Sequence, residues 1–245
     1  MENWFVNRGL IHYLPILTTL LSTAFFFVIF RRFLIRRKMH LLWWSIGVAT
    51  YGLGTLLESI ITLFGNNAFL NKSWYIAGAI LGGFPLAQGS AYLHLKKKHA
   101  DLLTAIALPI ILIVSIFVAI SPVNYQNLES FRPSGAALEW QTVRLLTPFI
   151  NLYSAIFLIG TAAYSAFAYL RHPLGRSRAF GNGLIAFGAL LPGIGGAMAK
   201  GGVVEALYVG ECLGIMLIWI GYDVCQRSDF RIEEGAILKA PQNPA

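Results

Sequence analysis

Long apolar runs alternate along the chain with short polar segments, most of them basic. Seven runs each hold about 20 mostly apolar residues, at about 10–30, 41–64, 74–95, 102–121, 146–170, 180–199 and 203–224. A helix of that length crosses a hydrocarbon core roughly 30 Å thick, because each residue rises about 1.5 Å. The pattern predicts an all-α fold: a polytopic integral membrane protein, a single seven-transmembrane helix bundle over residues 1–225. A short polar tail follows at 226–245. The remaining segments are too short for a separate soluble domain.

The basic residues give the bundle a direction. The turns after spans one, three and five, with the tail, hold fourteen of the nineteen Lys and Arg. The opposite side holds Arg8, Lys72, Arg132, Arg144 and Lys200. By the positive-inside rule the N-terminus is expected outside and the C-terminus cytoplasmic. The cluster Arg31, Arg32, Arg36, Arg37 and Lys38 follows the first apolar run instead of preceding it, so that run reads as a retained helix and not a cleaved secretory signal.

Composition agrees with this reading. The chain is 56% hydrophobic and 12% charged, with a mean hydropathy of +0.63. Its net charge of +8 does not point to nucleic acid, because the charges cluster at span ends where anionic headgroups lie. Membrane lipids are the expected partners, with a membrane protein partner or a second copy of the chain to complete a complex. Cys212 and Cys225 lie about 20 Å apart along one predicted helix, too far for a disulfide. No cofactor and no metal is expected. The short form suggests a bacterial cytoplasmic membrane.

Small residues mark where helices approach closely in lipid. Span three carries Gly78, Gly82, Pro85 and Gly89 on one face. Span seven carries Gly210, Gly214 and Gly221, and span two carries Gly47, Tyr51, Gly54 and Glu58. Span six holds Pro192, Gly193, Gly195 and Gly196 within five residues. That run predicts an interrupted helix serving as a hinge or gate. Span four, almost wholly aliphatic, is expected to face lipid most.

Two carboxylates lie inside the apolar spans. Glu58 falls in the outer third of span two, and Glu211 about eight residues inside span seven. A charge in the bilayer costs about 2.5–3.5 kcal/mol on insertion scales, so such residues face the bundle interior and find partners. Counting from the same end puts the two at similar depth, where they can share a cavity. Tyr51 shares a face with Glu58, and Tyr208 shares one with Glu211. Arg144, where the loop enters span five, is a candidate to reach inward to Glu211. Glu58, Glu211, Tyr51, Tyr208 and Arg144 thus form the candidate ligand-binding set. The alternative is that each Glu merely ties helices together.

Lys200 and Glu205 read as interfacial charges at the turn before span seven. The loop from Pro122 to about Arg144 reads as a connector or lid, with a short interfacial helix expected between Ala136 and Leu146. Asn71-Lys72-Ser73 is a glycosylation triplet. Among the histidines, His12 and His94 lie near span ends, and no pair has metal-ligand spacing on one helix.

Three resemblances bear on function. Ser90-x-x-x-His94 is similar to an element of seven-span membrane hydrolases related to alkaline ceramidases and adiponectin receptors. That family completes a zinc site with an His-x3-His pair in its last span, and 205–225 holds no histidine here. The seven-span layout resembles microbial rhodopsins, which bind retinal through a lysine in the last span, and 203–225 holds none. Trp43-Trp44, Gly52-x-Gly54 and Glu58, followed by an aromatic-led third helix ending in Lys96, Lys97 and Lys98, resemble the membrane sensor regions that precede bacterial signalling domains. The last resemblance implies signalling through a partner.

The expectation is a non-enzymatic seven-helix protein that binds a small or lipidic ligand within the bundle, as a sensor or accessory subunit. A proton-coupled or small-solute transporter, with span six as the moving part, is the first alternative. A lipid-modifying enzyme using a Glu, His94 or Ser90 within reach of one another is the second, disfavoured because His94 lies at the other end of the bundle from Glu58 and Glu211.

Overall fold

In a computed structural model the chain is described over residues 9–172 and 175–239, with side chains as far as 228. Arg8 lies outside these residues. Seven helices are long and apolar enough to cross a membrane: α1 (Leu10–Arg36), α2 (Met39–Phe64), α3 (Ala68–His94), α4 (Lys97–Ile120), α5 (Gln141–Leu170), α6 (Arg176–Lys200) and α7 (Glu205–Ser228). The last continues as helix to Lys239, so the described part of the expected polar tail is helical. Residues 240–245 lie outside the description. Among the described residues no β-strand forms, and β pairing is limited to one isolated bridge, Val123 to Leu138.

Successive spans pack side by side into a ring. α1 lies on α2, α2 on α3, α3 on α5, α5 on α6 and α6 on α7, and α7 returns to α1. α4 stands outside this ring against α3 and α5. One apolar core, with Phe25, Val48, Leu86 and Ile215, lies among α1, α2, α3, α5 and α7. A second, with Ile80, Phe84, Val114 and Val143, binds α3, α4 and α5. The least buried span is α6, not α4.

The α6–α7 contact is the most extensive, and glycine explains it. A Cβ at Gly188 would lie 2.8 Å from the Gly214 carbonyl, and one at Gly214 would lie 2.8 Å from the Gly188 carbonyl. Gly181 meets Gly221 in the same way. Only hydrogen at these positions lets the two backbones come this close.

The expected interruption of α6 is absent: the helix runs unbroken from Arg176 to Lys200 through Pro192. Pro192 has no N–H for the carbonyl four residues earlier, that of Gly188. That carbonyl lies against Gly214 of α7, where Cα–H groups face it. A neighbouring helix thus absorbs the proline, as spanning helices permit.

The irregular backbone lies elsewhere. α3 winds as a π-helix over Tyr75–Ile80, turns at 81–83 and resumes as α-helix at Phe84. Pro85 fits this restart, because it sits in the first turn of the new helix, where its missing N–H costs nothing. α5 carries a second π segment, Ala155–Gly160. Such segments mark functional regions more often than ordinary helix.

The loop 121–140 is ordered. Asn66 donates from Nδ2 to the carbonyls of Glu129 at 3.1 Å and Arg132 at 2.9 Å. Asn71 is fully buried, donating to the Ser134 carbonyl and accepting from its N–H, both at 2.9 Å. The glycosylation triplet is therefore a buried strut, closed to a glycan in the folded protein. The interfacial helix expected over 136–146 is replaced by a 3₁₀ turn, Gly135–Ala137, with Leu138 buried and α5 beginning at Gln141.

Candidate functional site

The site lies where α2, α3 and α7 meet, toward the face that carries the N-terminus. Glu58 is six residues before the end of α2, Trp74 is six after the start of α3, and Glu211 is six after the start of α7. Six residues of helix measure about 9 Å, so the three lie level in the bundle.

Glycine sets the α2–α3 approach. A Cβ on Gly54 would meet Gly78 Cα at 3.1 Å. Gly54 lies one turn from Glu58, and Gly78 one turn from Trp74. Closing the helices there brings the indole onto the carboxyl: Trp74 donates from Nε1 to Glu58 Oε1 at 2.7 Å. Across from α3, the carboxyl of Glu211 lies within hydrogen-bonding reach of that of Glu58. Tyr51 donates from its hydroxyl to the Glu211 carbonyl at 2.8 Å, tying α2 to α7 below the pair. Above it, Tyr208 and Thr62 bring their hydroxyls together.

Glu58 is fully buried and Glu211 partly so. Each keeps one buried oxygen, Oε2, with no hydrogen-bond partner. Leaving a buried charged acceptor unpaired costs more than the roughly 1–3 kcal/mol of a neutral one. Two ionised carboxylates side by side in a medium of low dielectric also repel strongly. The pair therefore calls for a positive charge or a shared donor between its oxygens.

A second buried polar group shows what simple helix glue looks like here. Gln88 of α3, fully buried, donates from Nε2 to the Ala100 carbonyl at 3.0 Å and to Thr104 Oγ1 at 2.7 Å. Its Oε1 accepts from Tyr153. Every polar atom of that amide is engaged, and α3, α4 and α5 are joined. The carboxyl pair is left open where Gln88 is closed.

Of the expected site residues, Glu58, Glu211, Tyr51 and Tyr208 come together and Arg144 does not. Its guanidinium donates to Gln141 one turn away at 2.7 Å, on the loop side of α5. Arg132 is the arginine that turns toward the site. It donates to Glu205 Oε1 at 3.2 Å and to His12 Nε2 at 3.3 Å. His12 donates from Nδ1 to the Gly9 carbonyl at 3.2 Å, which leaves Nε2 to accept. The His12 ring meets Tyr208 edge-on at 6.3 Å. The surface cluster His12–Arg132–Glu205 thus borders Tyr208, which neighbours the carboxyl pair.

In the expected hinge, Pro192 packs on Gly214, and Gly195 on Ala206 and Leu207. Gly193 and Gly196 face open space. Ser90 and His94 stand apart from the carboxyls at the far end of α3, where His94 bonds the Ser90 carbonyl and Ser165 Oγ, each at 2.9 Å. Among the described residues no group of three His, Cys, Asp or Glu is arranged to hold a metal ion.

Trp74, Thr62, His12 and Arg132 were not anticipated. Trp74 was within reach, since extending the Gly78–Gly82–Pro85–Gly89 stripe one turn back lands on it. Arg132 was not, because a loop fold places it. Comparison with protein-family models, with curated proteins and with solved structures finds no match.

Proposed function

We propose that this is a non-enzymatic seven-helix membrane protein that binds one small ligand, cationic or rich in hydrogen-bond donors, between Glu58 and Glu211. It acts as a sensor or accessory subunit that passes the occupancy of this site to a partner. The observation that carries the reading is the pair of buried, facing carboxyl groups, each with an unpartnered oxygen. A ligand donor satisfies both oxygens and draws α2 and α7 together. The π segment beginning at Tyr75, next to Trp74, supplies backbone able to change register when the indole moves. The basic bias of the turns supports an N-terminus outside and a C-terminus in the cytoplasm.

One observation favours a second reading, a proton-coupled carrier: the cluster of His12, Arg132 and Glu205 borders Tyr208, the neighbour of the pair. Intramembrane carboxylates serve as proton relays in pumps and transporters.

The test is mass spectrometry of what co-purifies with the wild-type protein and with Glu58→Gln and Glu211→Gln forms. The binding reading expects a defined molecule retained by the wild type and lost from both variants. Bulk lipid alone, unchanged in well-folded variants, contradicts it.

A further inference from the structure

The lipid-facing side of the α1–α2 pair carries a groove unrelated to the carboxyl site. Phe26 and Phe30 of α1 form one wall, and Leu42, Ile46, Ala49 and Leu53 of α2 the other. Its floor holds two hydroxyls already engaged. Ser45 donates to the Leu41 carbonyl at 2.7 Å, and Thr50 donates to the carbonyls of Gly47 at 3.0 Å and Leu81 at 3.2 Å. The groove therefore offers an apolar occupant no competing polar group. Ala49, the one small side chain on its rim, gives it depth.

Its length and place are specific. From Leu42 to Leu53 the helix rises about 16 Å, half of a hydrocarbon core roughly 30 Å thick, the reach of one acyl chain in one leaflet. It lies in the half next to the basic turn after α1. The phenyl wall continues toward that turn: Phe26 stacks on Phe30 at 5.3 Å, Phe30 meets Phe33 at 6.1 Å, and the Arg37 guanidinium lies over the Phe33 ring at 5.7 Å. Arg37 holds a left-handed backbone, φ +50°, the single non-glycine residue to do so among those described. Helices favour glycine there, because an L side chain is strained. Among the described residues neither Arg37 nor Lys38 has an ion-pair partner, and both are exposed.

The geometry points to a binding site for one anionic phospholipid, its acyl chain along the Phe26–Phe30–Ala49 groove and its phosphate on Arg37 and Lys38. The cations supply headgroup selectivity, since a basic residue near a membrane surface favours anionic over neutral lipid. The phenyl ladder fixes the chain beneath them.

The test is native mass spectrometry of the detergent-purified full chain mixed with equal amounts of phosphatidylglycerol and phosphatidylcholine bearing the same acyl chains. The wild type is expected to retain one phosphatidylglycerol, favoured by about thirtyfold from the two charges. Arg37→Gln with Lys38→Gln is expected to equalise the two lipids. Ala49→Phe, which fills the groove from its exposed rim, is expected to lose the retained lipid. Ile46→Trp repeats that test should the first variant not stay monodisperse. Equal retention of both lipids by the wild type, as for boundary lipid alone, overturns the proposal. So does undiminished phosphatidylglycerol on the filled groove.

Discussion

Trp74 donates its indole N–H to Glu58 Oε1 at 2.7 Å, from a position directly before the π-helical stretch of α3. This hydrogen bond engages one oxygen of Glu58 and leaves the other buried without a partner. Trp74→Phe keeps most of the ring volume and removes the donor. Loss of a partner from a buried acceptor costs about 1–3 kcal/mol, so the variant is expected to unfold at a lower temperature in detergent. An unchanged thermal midpoint would mean that the indole contributes nothing to the pair.

Glycines in α6 separate packing from hinge motion. Gly188→Ala places a methyl 2.8 Å from the Gly214 carbonyl. It is expected to weaken the α6–α7 contact and lower the thermal midpoint by several degrees, of the order that about 1–3 kcal/mol of overpacking produces. Gly193→Ala and Gly196→Ala meet nothing within 4 Å, and by helix propensity are expected to be neutral or stabilising by about 0.5–1 kcal/mol. If either alanine lowers the midpoint as much as the first, the packing account of α6 fails.

The spans were legible because lipid demands about 20 apolar residues and permits only helix. The level placement of Glu58 and Glu211 was legible for the same reason: helix rise converts position into depth. Arg144 was misplaced because a charge count cannot say how a loop folds. Asn66 and Asn71, more than sixty residues from their loop partners, set the path that turns Arg132 inward. The expected break at Pro192 failed because its remedy lies on another helix, at Gly214. The π segments of α3 and α5 have no periodic signature in the sequence.

Asn71 holds the loop to the start of α3 through two hydrogen bonds to Ser134. Asn71→Ala removes both and leaves the Ser134 N–H without a partner, while the Ser134 carbonyl keeps only the Ala137 N–H at 3.4 Å. The variant is expected to speed amide hydrogen exchange across 122–140 while the exchange of α6 and α7 stays as in the wild type. Protection of the loop equal to the wild type would show that its other contacts suffice.

The Arg132–Glu205 pair is about one third exposed on both sides, at 34% each. Surface pairs of this kind contribute about 0–1 kcal/mol. Arg132→Gln is therefore expected to leave the thermal midpoint nearly unchanged. On the carrier reading it alters the rate at which the site is reached from that face, measured as proton flux into proteoliposomes. Equal flux in both forms would remove the surface cluster from the pathway.

A shared site requires Glu58 and Glu211 to act as one unit. A double-mutant cycle measures this directly, from the unfolding free energies of the wild type, Glu58→Gln, Glu211→Gln and the double variant in the same detergent. Groups in direct contact are expected to show a coupling energy of about 0.5–3 kcal/mol, the second substitution changing stability differently once the first is present. Additive effects would place the two carboxyls in separate environments and contradict a shared site.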